Sequence, residues 1–173
     1  AASDVYKRQA YILAHCTNLV EGDRSMKRGE WKKTSLVGCR VTAKTLGIVG
    51  CGKIGREVAR LGSALGMNVV VSDPCIQGDD VTVVSLEKLL RTSDFITVNC
   101  PLTRGTRDLI GKEEIAKMKD GVFLVNTARG GIINEEALLD AVRSGKVGAA
   151  LDVMVSKTPF EDDVANSLIQ NER

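Results

Sequence analysis

Short apolar runs alternate with segments of helical periodicity along most of the chain, and the clearest example surrounds a glycine-rich segment. An apolar run at residues 46–49 leads into the sequence GCGKIG, which is followed by a helical pattern. A second apolar run at residues 69–71 ends at Asp73. This order predicts a strand, a tight glycine turn, a helix and a second strand in one compact unit.

The same alternation continues beyond Asp73. We predict further strands at residues 81–84, 94–99, 122–126 and 148–153, and further helices at residues 86–91, 112–119 and 135–144. Ser85 and Asn134 precede two of these helices and are candidate caps. Near-continuous apolar strands between helices are typical of a parallel sheet covered on both faces. The predicted fold is therefore α/β, a Rossmann-type doubly wound parallel sheet with helices on both faces and with its ligand at the carboxyl ends of the strands.

The segment before residue 44 carries a weaker pattern. Residues 1–9 have no useful periodicity, and we expect a tail or a non-native scar there. Residues 10–20 suit a helix, and residues 21–33 are polar apart from Met26 and Trp31. We expect this segment to lead into the domain without joining its sheet.

The amino-acid composition narrows the classes of function that the chain can have. The 173 residues carry 24 basic and 22 acidic side chains and only 3% aromatic residues, so the chain offers neither a basic footprint nor a stacking platform for nucleic acid. No apolar run approaches the ~20 residues of a membrane span. The cysteines show no CxxC spacing, which favours reduced thiols over a disulfide or zinc framework. We therefore expect a cytoplasmic protein without a nucleic-acid partner, a membrane partner or a metal site.

Each glycine of the GCGKIG segment has a physical role if the ligand is a dinucleotide. Gly50 makes the sharp turn, Gly52 lets the backbone approach the pyrophosphate, and Gly55 lets the helix pack closely on the strand. The unpaired amides at the start of the helix then face the phosphates, with help from the helix dipole. A glycine turn without a ligand is the weaker alternative, because the whole strand, turn, helix and strand pattern is present.

Asp73 follows the glycines at about the 20-residue distance expected for an acid that accepts hydrogen bonds from the adenosine ribose. No Arg or Lys stands beside it in the sequence SDPC. Because a carboxylate repels a 2′-phosphate, we predict that the cofactor is NAD and not NADP.

Two more predicted strand ends carry candidate chemistry. Arg129 follows a buried strand and precedes two glycines, so its guanidinium is placed to bind a substrate carboxylate and to polarise the neighbouring carbonyl. From spacing alone, an ion pair with a surface acid explains Arg129 equally well. Asp152 follows another apolar run and is either a cap of a helix or turn or an acceptor for the nicotinamide amide. His15, the sole histidine, is expected to have a surface or packing role, because no partner for it can be assigned.

Four blocks of the sequence resemble, in order, the D-isomer-specific 2-hydroxyacid dehydrogenases: SMKRGEW, GIVGCGKIGREVARLGSALGMNVVVSDP, DFITVNCPLT and VFLVNTARGGIINEEALLDAVRSGKVGAALDV. The resemblance covers about residues 10–155 and implies an NAD-dependent oxidoreductase acting on a small anionic 2-hydroxy acid. It implies a catalytic and substrate-binding role for Arg129. It also implies cofactor contacts for residues of the glycine loop and the strand ends: Lys53 and Ile54 (pyrophosphate), Asp73 (ribose), Cys100 and Thr106 (adenosine side), Thr127 and Ala128 (nicotinamide) and Asp152 (nicotinamide amide).

Two departures from the family pattern bear on activity. The family's catalytic Glu follows the aspartate of the LDV sequence by five residues, where this chain has Lys157; Pro159 is displaced by one position, and the nearest acid is Glu161. The family's catalytic His is a general acid in a Pro-His loop, and we expect its position to lie beyond Arg173. The sequence therefore predicts a cofactor-binding fragment that is close to inactive alone.

The resemblance also divides the chain. We expect residues 10–43 to be a helix and arm leading from a missing substrate domain, residues 44–155 to be the NAD-binding domain, and residues 156–173 to begin a return segment. In the family the arm helps to form a dimer, and Trp31 suits such a contact, so we expect a homo-oligomer. An NAD(H)-sensing, corepressor-like binding module is the alternative from another class. Within the enzymes, glycerate or hydroxypyruvate, D-lactate and formate are open as substrates.

Overall fold

The computed structural model describes residues 2–76, 81–156 and 163–170. Within these ranges the chain forms the strands β1 (Thr45–Val49), β2 (Asn68–Ser72), β3 (Thr82–Val83), β4 (Phe95–Val98), β5 (Val122–Asn126) and β6 (Val147–Leu151). It also forms the helices α1 (Ala2–Cys16), α2 (Leu19–Lys27), α3 (Lys53–Ala64), α4 (Leu86–Thr92), α5 (Lys112–Lys117), α6 (Glu135–Arg143) and α7 (Asp163–Gln170).

The strands form one parallel sheet in the order β3-β2-β1-β4-β5-β6. β1 lies between β2 and β4, so the strand order reverses at β1, which is the switch point where ligands bind in doubly wound sheets. The predicted fold class is confirmed. The last strand, β6, ends at Leu151, short of the predicted boundary at residue 153, and β3 has only two residues.

Both faces of the sheet are covered by helices. On one face Leu89 of α4, Ile115 of α5 and Leu138 of α6 pack with buried strand residues. On the other face Ile12 of α1 and Val58 of α3 belong to a second buried cluster. Every residue of β4 and β5 is buried, and this burial from both sides explains why the strands read as continuous apolar runs.

Two helices begin at the predicted capping residues. The Ser85 hydroxyl accepts a hydrogen bond from the Lys88 amide at 3.2 Å, and Asn134 Oδ1 accepts one from the Ala137 amide at 3.0 Å. Each bond satisfies an amide that the helix itself leaves without a partner. The caps therefore fix where α4 and α6 begin.

Helix α1 starts earlier than the sequence predicted, at Ala2, and ends at Cys16. Val5, Ile12 and Cys16 are buried and pack in the cluster on the α3 side of the sheet. These residues lie on one face of the helix. The sequence pattern did not show that this face continues back to Val5, because polar residues surround Val5. The structure thus places residues 2–9 in a packed helix where we expected a tail, while their non-native origin stays a prediction.

His15 of α1 packs against the sheet. Its ring stacks on Phe123 of β5, with centroids 4.0 Å apart and an interplanar angle of 12°. Burial lowers the pKa of His15, because the charged imidazole would lose hydration there. The expectation of a packing role for His15 is confirmed.

Candidate functional site

The turn between β1 and α3 uses its three glycines for three different reasons. Gly50 has a φ of 88°, and a Cβ there would lie 2.7 Å from the Cys100 amide nitrogen. A Cβ on Gly55 would collide with the Gly50 carbonyl oxygen and would force α3 away from β1. By contrast, a Cβ built on Gly52 has no atom of the described residues within 4 Å, apart from those of Gly52 and its two chain neighbours. The space in front of Gly52 is therefore open to a ligand.

The residues expected to contact the pyrophosphate lie at the start of α3. Gly52 is the N-cap residue and, as a glycine, offers no side-chain acceptor to the first amides of the helix. The amides of the first turn carry a partial positive charge and attract phosphate. Lys53 is exposed and adds a full positive charge, whereas Ile54 is half-buried and lines the neighbouring cleft.

The carboxylate of Asp73 lies at the same turn. One of its oxygens accepts a hydrogen bond from the Cys51 amide at 2.7 Å, and the other accepts one from the Cys75 amide at 2.8 Å. These bonds fix the carboxylate in place without using all its acceptor sites, since an ionised carboxylate offers about four. Asp73 thus keeps acceptor capacity for the two hydroxyl groups of a ribose.

A cleft of about 560 Å³ lies at the carboxyl ends of β4 and β5. Its lining includes site residues that the sequence predicted: Ile54, Cys100, Thr127, Ala128 and Arg129. Burial raises the pKa of the Cys100 thiol, so this side chain offers a neutral contact to a ligand.

Among the buried polar atoms of the cleft residues, Thr127 Oγ1 and Asn99 Oδ1 have no hydrogen-bond partner within the described ranges of the chain. Thr127 directly follows β5, and Asn99 directly follows β4. Because Val98 of β4 lies opposite Asn126 of β5, Asn99 and Thr127 are neighbours across the sheet. Buried polar atoms without partners are rare and costly. A dinucleotide, which is rich in hydroxyl and amide groups, fits such a site. Sequence reasoning missed Asn99, although its place directly after β4 was a signal.

Arg129 is exposed at the cleft. Its Nη1 donates a hydrogen bond to the Ala128 carbonyl oxygen at 2.7 Å, and within the described part of the chain it forms no ion pair with an acid. A Cβ on Gly130 would collide with the backbone of Met154, so the loop after β6 packs closely on the Arg129 loop. The surface ion pair that the sequence left open is therefore not formed among the described residues, and the substrate-binding role of Arg129 stays a prediction.

Two of the expected cofactor residues, Asp152 and Thr106, belong neither to the glycine turn with Asp73 nor to the lining of the cleft. The Asp152 carboxylate accepts hydrogen bonds from Lys7 Nζ at 2.8 Å and from the Tyr11 hydroxyl at 3.3 Å. Burial is the main reason why the pKa of Tyr11 is raised, and the negative charge of Asp152 raises it further. The Thr106 hydroxyl donates to the Pro101 carbonyl oxygen at 2.6 Å and closes the loop after β4. Cofactor contact by Asp152 or Thr106 stays a prediction.

The remaining expectations concern the residues after Asp152, metal sites, membrane spans and the cysteines. Lys157, Pro159 and Glu161 lie outside the described residues. Among the residues that the structure describes, no three His, Cys, Asp or Glu side chains form a group that could hold a metal ion, and no helix has the length and apolar character needed to cross a membrane. The five cysteines are free thiols.

Comparison with known proteins identifies relatives of this arrangement. Residues 9–173 match the family model described as D-isomer specific 2-hydroxyacid dehydrogenase, NAD binding domain. A hydroxypyruvate reductase from Thermotoga maritima is 47% identical over 87% of this chain and 50% of its own length. A D-3-phosphoglycerate dehydrogenase from Archaeoglobus fulgidus is 43% identical over 89% of this chain and 30% of its own length. The chain thus spans half or less of the length of these curated relatives.

Solved structures share the fold. A D-lactate dehydrogenase from Aquifex aeolicus, complexed with NAD and lactic acid, gives a TM-score of 0.89 at 32% identity, covering 96% of this chain and 55% of its own. An NAD-dependent formate dehydrogenase from Staphylococcus aureus, in complex with NAD, gives a TM-score of 0.86 at 33% identity, covering 93% of this chain and 50% of its own.

Proposed function

We infer the function from the premise that this chain belongs to the D-isomer-specific 2-hydroxyacid dehydrogenase family, whose NAD-binding domain it matches over residues 9–173. We propose that it is the cofactor-binding part of a D-3-phosphoglycerate dehydrogenase. Such an enzyme oxidises the hydroxyl-bearing carbon of its substrate and reduces NAD. The alternatives within the family are a glyoxylate or hydroxypyruvate reductase and a D-lactate dehydrogenase.

One observation carries the cofactor part of this proposal. The open space at Gly52 lies at the uncapped start of α3, and the Asp73 carboxylate is held at the same turn. A phosphate group and a ribose are the chemical groups that these two features recognise. Gly50, Lys53, Ile54 and Gly55 would shape and line the phosphate site.

The chain's own residues would orient the reacting groups at the cleft. When bound, NAD supplies the acceptor for a hydride. Thr127 and Ala128 would position the nicotinamide end, and Cys100 would contact the adenosine side. Arg129 would bind the substrate carboxylate through two parallel N–H bonds. Its positive charge would also polarise the carbon–oxygen bond at the reacting carbon.

The choice of 3-phosphoglycerate rests on the curated relatives. Phosphoglycerate dehydrogenases from several organisms are 40–43% identical to this chain. The first alternative, a hydroxypyruvate reductase, is favoured by the 47% identity to the Thermotoga maritima protein. Assays of both substrates on the complete protein that carries this chain would separate the two.

We predict that the 173-residue chain binds NADH and is close to inactive alone. Its sole histidine, His15, stacks on Phe123 and does not line the cleft. Loss of a placed proton donor costs roughly 10²- to 10⁴-fold in rate. NADH titration by fluorescence and an assay of 3-phosphoglycerate oxidation on the same preparation check both parts. Turnover at the level of a whole enzyme would contradict the prediction.

We also propose that α2 and the segment after it form a contact between copies of this chain. Large apolar side chains are exposed there: Leu19 (63%), Val20 (54%), Met26 (56%), Trp31 (76%) and Val37 (78%). Exposed apolar groups clustered in one segment are typical of interaction sites. We expect sedimentation velocity to show a dimer that Trp31→Ala weakens at least about fivefold, because aromatic anchors dominate interface energies. The control is Val83→Ser, at an exposed apolar position outside this segment; a monomer at all concentrations would contradict the proposal.

A further inference from the structure

Asn126 is a buried polar residue at the end of an apolar strand. The four residues before it in β5 are Val122, Phe123, Leu124 and Val125, all of them buried. Asn126 itself is only 2% exposed. A polar side chain at such a place costs free energy unless its hydrogen bonds are satisfied, so its partners indicate what it does.

Both polar atoms of the Asn126 carboxamide form hydrogen bonds, and both partners belong to the loop that carries Arg129. Asn126 Oδ1 accepts a hydrogen bond from the Ala128 amide at 3.0 Å. Asn126 Nδ2 donates one to the Arg129 carbonyl oxygen at 2.9 Å. A side chain that bonds its own backbone two and three residues on holds that backbone in a turn.

The turn held by Asn126 presents the nicotinamide-side residues. Thr127, Ala128 and Arg129 all line the cleft, whereas the side chain of Asn126 does not. The glycine turn directly follows β1 and Asp73 directly follows β2, and both strands lie on the other side of β4 from β5 in the sheet. A loss of the Asn126 bonds would therefore loosen one end of the site and leave the other end intact.

We propose that Asn126 is a positioning residue for the nicotinamide half of the dinucleotide, acting through the Ala128 amide and the Arg129 carbonyl. The proposal rests on the proposed NAD-binding function and adds to it that different residues hold the two halves of the dinucleotide. Gly52 and Asp73 hold the adenosine and phosphate groups, while Asn126 sets the geometry of the loop that meets the nicotinamide. Binding sites depend on such supporting residues because a loosened loop loses its contacts with the ligand.

The experiment compares two ligands on the 173-residue chain, NADH and ADP-ribose, which lacks the nicotinamide ring. In the unaltered chain we expect NADH to bind more tightly than ADP-ribose. In Asn126→Ala we expect the Kd for NADH to rise by about tenfold, because two hydrogen bonds of the loop are lost, and the Kd for ADP-ribose to stay within about twofold. Isothermal titration calorimetry gives both constants, and circular dichroism reports whether the variant is folded.

Two further variants separate positioning from general destabilisation. Asn126→Asp keeps an acceptor for the Ala128 amide but sets a carboxylate oxygen against the Arg129 carbonyl oxygen, so we expect the Kd for NADH to rise at least as much as in Asn126→Ala; it also decides the question if Asn126→Ala does not fold. Leu138→Ala removes a fully buried core side chain of α6 and is expected to lower stability without changing the ratio of the two constants.

An unchanged ratio of the NADH and ADP-ribose constants in Asn126→Ala, or in Asn126→Asp where the alanine variant is unfolded, overturns the proposal. An equal change of that ratio in Leu138→Ala overturns it as well. Failure of the unaltered chain to bind either ligand is a different result, because it would remove the proposed NAD-binding function itself.

Discussion

Replacing Gly52 by aspartate is expected to abolish NADH binding and at the same time to stabilise the fold. A Cβ at this position meets no atom of the described residues within 4 Å, apart from those of Gly52 and its two chain neighbours, and the backbone of Gly52 (φ −68°, ψ −159°) is extended, as is usual for an N-cap residue. Asp is among the best N-cap residues and interacts favourably with the helix dipole. We therefore expect the free energy of unfolding to rise by up to about 1 kcal/mol.

The same substitution would place a negative charge where the pyrophosphate is expected. Repulsion and loss of close approach to the amides of Lys53 and Ile54 should raise the Kd for NADH by at least about 100-fold, which corresponds to roughly 2.8 kcal/mol. Urea unfolding and NADH fluorescence titration on one preparation measure the two effects. Gly52→Ser is the matched control, since it caps the helix without adding charge and should weaken NADH binding much less.

A second glycine of the turn provides the contrasting case. Gly55→Ala adds only a methyl group, but its Cβ would collide with the Gly50 carbonyl oxygen. Overpacking of this kind costs about 1–3 kcal/mol, so this variant should lose stability and binding together. Opposite stability effects at Gly52 and Gly55 would identify the first as a ligand position and the second as a packing position. An unchanged NADH affinity in Gly52→Asp would show that the phosphates bind elsewhere.

Most of the fold could be predicted from the sequence because β1, β4 and β5 are buried from both sides. Such strands are near-continuous apolar runs, and the helices between them carry their own signals, such as the Ser85 and Asn134 caps. The packing roles of Gly50 and Gly55 were also readable, because the tight turn and the close helix–strand packing of a dinucleotide-binding βαβ unit need glycine at these two positions.

The parts that could not be predicted depend on contacts between distant segments. The early start of α1 depends on burial of Val5 against the sheet, and the three neighbours that follow Val5 are polar or aromatic. The hydrogen bond from the Tyr11 hydroxyl to the Asp152 carboxylate joins residues that are far apart in sequence. The role of Asn126 was hidden for a different reason. Its hydrogen bonds are local, but an Asn at a strand end equally fits an ordinary turn.

The second large effect is expected at Asp73, where an Asn substitution should remove most of the preference for NADH over NADPH. The Asp73 carboxylate is fixed at the glycine turn by the Cys51 and Cys75 amides. A 2′-phosphate bound at the adenosine ribose would face this negative charge at short range, where repulsion between ions is worth several kcal/mol near a protein surface. Asn has nearly the same shape and keeps one acceptor oxygen, but it carries no charge.

We expect Asp73→Asn to lower the ratio of the NADPH and NADH dissociation constants by about 10- to 100-fold, which corresponds to roughly 1.4–2.8 kcal/mol. Part of the change should come from weaker NADH binding, because a neutral amide is a poorer acceptor for ribose hydroxyls than a carboxylate. Titration of both cofactors with both proteins gives the ratio. Asp163→Asn, at an exposed acid of α7, is the control for a general change in charge. Comparable affinities of the unaltered chain for NADH and NADPH would contradict the assignment, because the carboxylate would then face something other than the 2′ position of the ribose.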